Sequence, residues 1–491
     1  MRYIGIIVSL LIATTAEAQR SVTLDLERTV ALATDSSLSA DKYRSVLEAN
    51  RFEHLSWLAS RKPQLALSST PLQYERYMVQ RYISDEDRDT YREQQMLYSE
   101  ASLGLTQQIE SLGGTLYAST GLGFLHTFGN GTNYNEFTTV PIKVGYKQSL
   151  WGFNELKWNK LIEPMKLKLA EKTYAYNVET AAQTAVTLFF NLALAQDMQR
   201  MAEEYLQTCD TIYAIGRRRF KIASISKAEL SILDLQRTNA LNTLDNASIS
   251  RNEAAKSLAT YLGMDRDTDI ELIIPTMPIS LIVNPADAIR YARENNPRYV
   301  ETQQGVTEAQ KEVEKAKVER RISIDIDASI GLNQVADNFW DSYHKPLRQE
   351  SAVISLSVPL KDWGQRKNAY LAAKSRLENA EKTQKETARD TELDVVVTVD
   401  DFNKRQNIAN NSLKALNVAQ EAYDAMLARF IKGQATVNDL SLAQDYWQTA
   451  RQNYTQSLQN YWVSYYKLRC LTLYDFKKHE IITHNNKGSR K

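Results

Sequence analysis

Two textures of apolar and polar positions run along the chain. In the first, every second residue is apolar: from Ile322 to Ile330 each even position is Ile or Ala and each odd one Ser or Asp. Ala352, Ile354, Leu356, Val358 and Leu360 keep that period around Ser355 and Ser357. Earlier segments do so at Leu116, Ala118, Leu122 and Phe124, and at Val140, Ile142, Val144 and Tyr146. A period of two predicts strands with one apolar face. Such strands form either a membrane barrel, with lipid outside and a polar lumen, or a soluble sheet covered on one side.

The second texture is helical. Leu156–Ile215 holds 60 residues with no glycine and one proline, Pro164, and Gln365–Lys432 holds 68 with neither. At ~1.5 Å per residue these runs reach about 90–100 Å, which predicts a coiled coil or helical barrel. Each is followed by a short turn, at 216–226 and 433–437, and then by a helix running back. In the second returning helix Leu440, Trp447, Tyr454, Tyr461 and Leu468 are seven apart, beside a smaller row of Ala443, Ala450, Ser457, Ser464 and Leu471. Large and small rows side by side interlock as knobs in holes. The first returning helix keeps Leu230, Leu244 and Leu258 beside Ala240, Ala247 and Ala254, while Arg237 and Arg251 predict partial solvation of that face.

These textures occur twice. The segment from Tyr213 to Leu230 returns 210 residues later, with Tyr213, Arg219, Phe220 and Leu230 falling on Tyr423, Arg429, Phe430 and Leu440. A carboxylate, Glu229 or Asp439, precedes the last leucine in each copy. Val30–Ser37 matches Ile289–Asn296 at an offset of 259, and Trp151-Gly152 matches Trp363-Gly364 at 212. The first copy therefore carries an excess of 47 residues before Trp151. That excess includes the polar stretch Glu75–Glu100 and a hairpin turn at Gly113-Gly114, and reads as a long external loop or an added hairpin. The first copy's outer strand has two candidates, Pro63–Thr70 and Ala101–Ile109. A fixed internal period points to one architectural unit used twice. The expected divisions are 19–263 for the first repeat, 264–284 for a linker, 285–476 for the second repeat and 477–491 for a polar, basic, disordered tail.

Composition narrows the class. A net charge of +1 excludes recruitment of nucleic acid by a global field. Low glycine (17) and proline (10) favour long helices over a loop-rich enzyme. Arg2, the apolar run Ile4–Ala13 and the small-x-small site Ala16-Glu17-Ala18 read as an export signal over residues 1–18. No further apolar stretch of about 18 residues is evident for a spanning helix. Cys209 and Cys470 have no zinc-type spacing, and spacing leaves their pairing open. The histidines (His54, His126, His344, His479 and His484) form no metal-spaced pair. No nucleophile triad, phosphate loop or carboxylate pair stands out, so neither catalysis nor a cofactor nor a metal is expected.

Trp151, Phe153, Trp340, Tyr343 and Trp363 cluster where the alternating segments end, as aromatics do at a bilayer interface. The polar, aromatic stretch Gln334–Gln349 suits a surface loop. Two copies supply about four membrane strands, and an open edge of unsatisfied backbone is excluded from lipid. Membrane barrels need about eight strands or more, so the chain must oligomerise to close.

In this order the segments resemble the TolC-type outer-membrane efflux proteins over nearly all of the mature chain. The resemblance rests on the Arg219-Phe220 and Arg429-Phe430-Ile431-Lys432-Gly433 turns and on the junction from Val358-Pro359-Leu360 to Trp363-Gly364. Leu262-Gly263, followed by Pro275, Pro278 and Asn284-Pro285, completes it. It implies an α+β membrane protein, internally duplicated, with a long α-helical coiled-coil barrel and a transmembrane β-barrel closed by trimerisation, at four strands per subunit. It also implies the exit duct of a tripartite exporter: a homotrimer in outer-membrane lipid with a long periplasmic portion, meeting a periplasmic adaptor and an inner-membrane pump that supplies the energy. By the same resemblance Asp439 and Glu229 form a periplasmic gate. Arg219, Phe220, Ala223, Ser224, Arg429, Phe430, Gly433 and Gln434 form the adaptor-docking tip. A second acidic gate position of the family falls on Leu442. Small-molecule efflux and protein secretion are separated by the pump, and a periplasmic coiled-coil scaffold or adaptor is the rival of another class.

Overall fold

The computed structural model describes residues 21–83, 87–129, 132–275, 281–432 and 434–483. The first half runs β1 (Ser21–Asp25), α1 (Leu26–Asp35), α2 (Leu38–Ser60), β2 (Gln64–Ile83), β3 (Arg88–Ile109), β4 (Gly114–Gly129), β5 (Thr132–Ser149), α3 (Glu155–Lys221) and α4 (Lys227–Tyr261). The second half runs β6 (Asp269–Ile273), α5 (Pro285–Asn295), α6 (Pro297–Glu319), β7 (Ser323–Ala336), β8 (Leu347–Ser357), α7 (Gln365–Ile431), α8 (Val437–Thr472), β9 (Tyr474–Asp475) and β10 (Glu480–Ile481). Each half is a short strand, two helices, longer strands, a 67-residue helix and a returning helix. The expected signal segment lies outside the described residues.

The chain forms two compact units, one holding residues up to 46, 172–296 and 389 onward, the other 47–171 and 297–388. The second unit is organised by one antiparallel sheet in the order β2-β3-β4-β5-β7-β8. Four strands per chain were expected, and there are six. The 47-residue excess is an added pair of strands inside the first copy's hairpin, and both candidates for its outer strand belong to the sheet, in β2 and β3. The undercount came from Glu75–Glu100, whose charged residues hide the period. Cross-strand pairs keep the two faces separate: Leu105, Ala118, Val144 and Ile330 lie in one row. Gly104, Ser119, Lys143 and Gly331 lie in the neighbouring row on the other face. Tyr117 donates to Asp327 at 2.8 Å on that polar face. Gly331 permits the approach there, because a Cβ would stand 2.7 Å from the Ile142 carbonyl oxygen.

The first unit is helical. The parallel pair β1–β6 lies within what was expected to be linker on one side and repeat on the other. Its core joins Phe189 and Phe190 of α3, Phe402 of α7 and Tyr461 and Tyr465 of α8. The heptad of α8 is buried as its spacing predicts: Leu440, Trp447, Tyr461 and Leu468 on the large row, Ser457, Ser464 and Leu471 on the small. Each large apolar side chain so covered contributes roughly 1.5–3 kcal/mol. On α4, Ala240 and Ala247 are buried while Arg237 and Arg251 reach Asp210 and Asp269, each at 2.5 Å. α3 does contain a window with mean hydropathy 1.2, the only helix among the described residues apolar and long enough to cross a membrane. Since 61% of that window is buried, core packing accounts for its composition. Cys209 and Cys470 are both buried and do not pair with each other. The start of the expected disordered tail is ordered, since β10 pairs with β9.

Candidate functional site

The matched turns between α3 and α4 and between α7 and α8 are built alike. In the first, the Ala223 N–H donates to Phe220 O and the Ser224 N–H to Arg219 O, both at 2.9 Å. In the second, the Gln434 N–H donates to Arg429 O at the same 2.9 Å. These bonds satisfy carbonyls that the helix end leaves unpaired, and they require one residue in the left-handed region. In the first turn that residue is Ala223, with φ +56. Its counterpart, Gly433, lies outside the described residues.

After each turn the chain enters a helix through a capping box. Ser226 Oγ accepts from the Glu229 N–H at 3.2 Å, and the Glu229 carboxylate accepts from the Ser226 N–H at 2.6 Å. Thr436 Oγ1 accepts from the Asp439 N–H at 3.2 Å, while the Asp439 carboxylate accepts from the Thr436 N–H at 3.0 Å and hydroxyl at 2.7 Å. These bonds satisfy exposed donors at the helix start. They also hold the carboxyls ionised. Glu229 lies below its ordinary range because the Ser226 backbone amide and then its hydroxyl donate to it. Asp439 is lowered first by the Thr436 hydroxyl, then by its amide, with the Arg429 charge adding to this.

Arg219, Phe220, Ala223, Ser224, Arg429 and Gln434 are solvent-exposed and Phe430 is half-buried. Gly216, one turn before, is buried where α3 meets α4, and a Cβ there would stand 2.4 Å from Leu233 Cδ1. Sequence reading missed it, although a glycine closing a 60-residue glycine-free run was the available signal. Leu442, on which the second acidic position falls, is half exposed.

The expected interface aromatics fall at two ends of the sheet. Trp151 and Phe153 follow β5 and Trp363 follows β8, on the side where the long helices begin. Trp340 and Tyr343 lie in the β7–β8 connection, at the opposite end, stacked edge-on against Phe339. Trp340 and Trp363 are 81% and 86% exposed, and Trp363 carries Lys361 Nζ 3.9 Å over its ring. The expected aromatics thus lie at two levels, one at each end of the alternating strands. Among the described residues no group of three or more His, Cys, Asp or Glu could hold a metal.

Comparison with known proteins agrees with this architecture. Residues 288–472 match the family described as outer membrane efflux protein. The Campylobacter jejuni CmeC outer membrane channel has a similar structure at TM-score 0.66 and 13% identity, covering 94% of this chain and 87% of that one. The Vibrio cholerae outer membrane protein VceC gives 0.63 and 13%, covering 92% and 95%. The open state of the Neisseria gonorrhoeae MtrE outer membrane channel gives 0.59 and 13%, covering 92% and 89%. No curated protein sequence matches. Residues 288–472 thus match the outer membrane efflux protein family, and the chain as a whole shares the fold of the CmeC and VceC structures.

Proposed function

We propose that this protein is the outer-membrane exit duct of a tripartite efflux system, a homotrimer that passively conducts small molecules. An inner-membrane pump would drive export, and a periplasmic adaptor would join the two. The observation that carries the reading is the combination within one chain of an open, apolar-faced antiparallel sheet and two long helical hairpins ending in matched turns. An open sheet edge in lipid leaves backbone groups unsatisfied, so closure needs further copies. Exposed apolar side chains on the helices, among them Ile232, Leu235 and Ile249 on α4 and Ile408 and Val418 on α7, supply lateral contacts.

The turns would then be the periplasmic tip. Arg219, Phe220, Ala223 and Ser224 in the first, and Arg429, Phe430, Gly433 and Gln434 in the second, would form the adaptor-docking surface. Three copies of Asp439, with Glu229 as the parallel ring, would make a cation-favouring constriction. The capping bonds that lower both carboxyls support this role, because they keep the charge fixed at neutral pH.

The test is dye extrusion in cells deleted for this protein. The intact chain should restore extrusion from the outer-membrane fraction as a trimer. Gly433→Trp should abolish extrusion while the trimer still assembles. Loss of the trimer in that variant would reduce the turn to a folding role, and full solubility without detergent would overturn the duct itself. Secretion of a polypeptide with no dye extrusion would instead place the protein in a protein-secretion system.

A further inference from the structure

The sheet carries two strands more than a duplicated hairpin needs, and they are not an appendage. β2 begins at Gln64 and β7 at Ser323, an offset of 259 that equals the one between the preceding helices. β5 leads into α3 as β8 leads into α7. The additional pair is therefore β3 and β4, in the middle of the first copy's hairpin. Each is hydrogen-bonded on both sides, β3 to β2 and β4, and β4 to β3 and β5. Their apolar rows continue those of the flanking strands: Leu65 and Leu67 of β2 oppose Leu105 and Leu103 of β3. Leu105 in turn opposes Ala118 of β4, and Ala118 opposes Val144 of β5. An apolar row that crosses β2, β3, β4 and β5, reaches β7 at Ile330 and passes from β7 to β8 at Ala328–Ala352 and Ile326–Ile354 is the pattern of a lipid-facing barrel wall.

The two edges of this wall are also complementary. With six alternating strands, β2 and β8 run in opposite directions, so β8 of one copy can extend the antiparallel ladder at β2 of the next. The chain already contains a template for that junction, because β5 and β7 are where its first copy meets its second. Tyr146 pairs with Ala328 and Gln148 with Ile326. Shifting the first member by 212 and the second by 259 predicts Val358 opposite Ser69 and Leu360 opposite Leu67, in the residues that directly follow β8. In that register apolar face meets apolar face without a slip, which a one-residue error would not allow. It also covers Leu360 and Leu67, which are 92% and 72% exposed.

We propose that β2 and β8 are the interface between copies of this chain, and that three copies of the six-stranded sheet close a single barrel of eighteen strands. Three copies rest on the trimer proposed above; the strand count and register come from the sheet. At ~4.8 Å between strands and ~40° tilt, eighteen strands give a wall radius of about 18 Å, against about 12 Å for the twelve that four per chain would give. The enclosed cross-section is then roughly twice as large, so the membrane segment imposes little size limit on cargo, and selection falls to the helical turns.

Cryo-electron microscopy of the purified full chain in lipid nanodiscs tests the count, and cysteine cross-linking tests the register. The expected result is a trimer with eighteen strands and a wall about 36 Å across. Ser69→Cys with Val358→Cys should give covalent trimers under mild oxidation, and Ser69→Cys with Ala352→Cys should not. A trimer with twelve wall strands, and β3–β4 folded outside, would overturn the inference and leave the duct reading intact. Cross-linking only in the second pair would overturn the register. Any assembly other than a trimer would overturn the duct reading and this inference with it.

Discussion

The two copies of the repeat share a backbone and diverge in how they hold it. At the 210-residue offset, Ala259 at the end of α4 stands where α8 has Arg469. Ala259 is buried in an apolar cluster with Leu192, Leu258 and Ile270. Arg469 is half-buried, between two buried carboxylates, Glu179 at 2.9 Å and Asp475 at 3.3 Å. Four residues on, both copies leave the helix in the left-handed region, through Gly263 in the first (φ +73) and Leu473 in the second (φ +46). One copy closes with small residues and the other with an ion network. Either solution satisfies the same backbone, and the two should fail under different insults.

Breaking the ion network should have the largest effect. Arg469→Ala removes the cation that joins the buried carboxylates Glu179 and Asp475, a loss of about 3–5 kcal/mol, readable as a lowered urea midpoint of the detergent-solubilised protein. Its pH dependence identifies the cause. Burial alone would raise the Asp475 carboxyl, but the Tyr465 hydroxyl, the Arg469 charge and the amides of Lys478 and Lys477 outweigh it and hold it below the ordinary carboxylate range. A depressed carboxyl contributes stability above its unfolded value, near pH 3.9, and loses it as pH falls through the folded value. The difference between the native chain and Arg469→Ala should therefore narrow below about pH 4. Ala259→Gly in the first copy should show no such narrowing.

The next contrast lies at the base of the turns, where Gly216 in the first copy corresponds to Met426 in the second. Gly216 lets α3 and α4 approach, since a Cβ would meet Leu233 Cδ1. Gly216→Met should overpack that crossing by about 1–3 kcal/mol, whereas Met426→Leu, nearly equal in volume, should cost less than about 1.5 kcal/mol. Equal effects would mean that the two crossings are equally tight. Smaller again are the capping boxes. Ser226→Ala and Thr436→Ala should each lose about 1 kcal/mol, because both boxes share the reciprocal hydroxyl–amide and carboxylate–amide bonds, and Thr436→Ala slightly more because its hydroxyl also donates to Asp439. The carboxylate side of each box should weaken in acid, since both carboxyls are lowered by capping and lose that contribution as pH falls through their folded values.

Sequence periodicity made the duplicated helices legible because glycine-free runs and the Leu440–Leu468 heptad have one physical explanation each. The strand count was not legible for a comparable reason. In Arg76–Ile83 of β2 and Arg88–Gln95 of β3, charged and polar residues fall on both faces among the aromatic and aliphatic ones, held by pairs such as Arg76 with Glu93 at 2.5 Å, so no apolar-polar period survives. Hydropathy cannot register a strand whose two faces are both wet. The turns were half legible. Repeat alignment located Glu229 and Asp439, yet their capping bonds depend on Ser226 and Thr436, which differ between the copies and were passed over. Gly216 shows the same limit, because its role is set by Leu233, seventeen residues away on another helix.

The smallest effect gives the cleanest comparison of the turns. Ala223 holds φ +56 with its side chain exposed, so replacing it removes no buried surface. An L-residue there costs roughly 1–2 kcal/mol relative to glycine, while glycine gives back about 0.5–1 kcal/mol in unfolded-chain entropy. Ala223→Gly should thus stabilise by a few tenths to about 1 kcal/mol, seen as a small rise in Tm. Gly433→Ala should lose a similar amount if the second turn has the same backbone, and the double exchange should return close to the native Tm. Gly433→Ala that leaves Tm unchanged would mean that only the first turn is strained. The repeat would then carry an asymmetry in its turns that neither the Arg-Phe pair nor the capping box reveals.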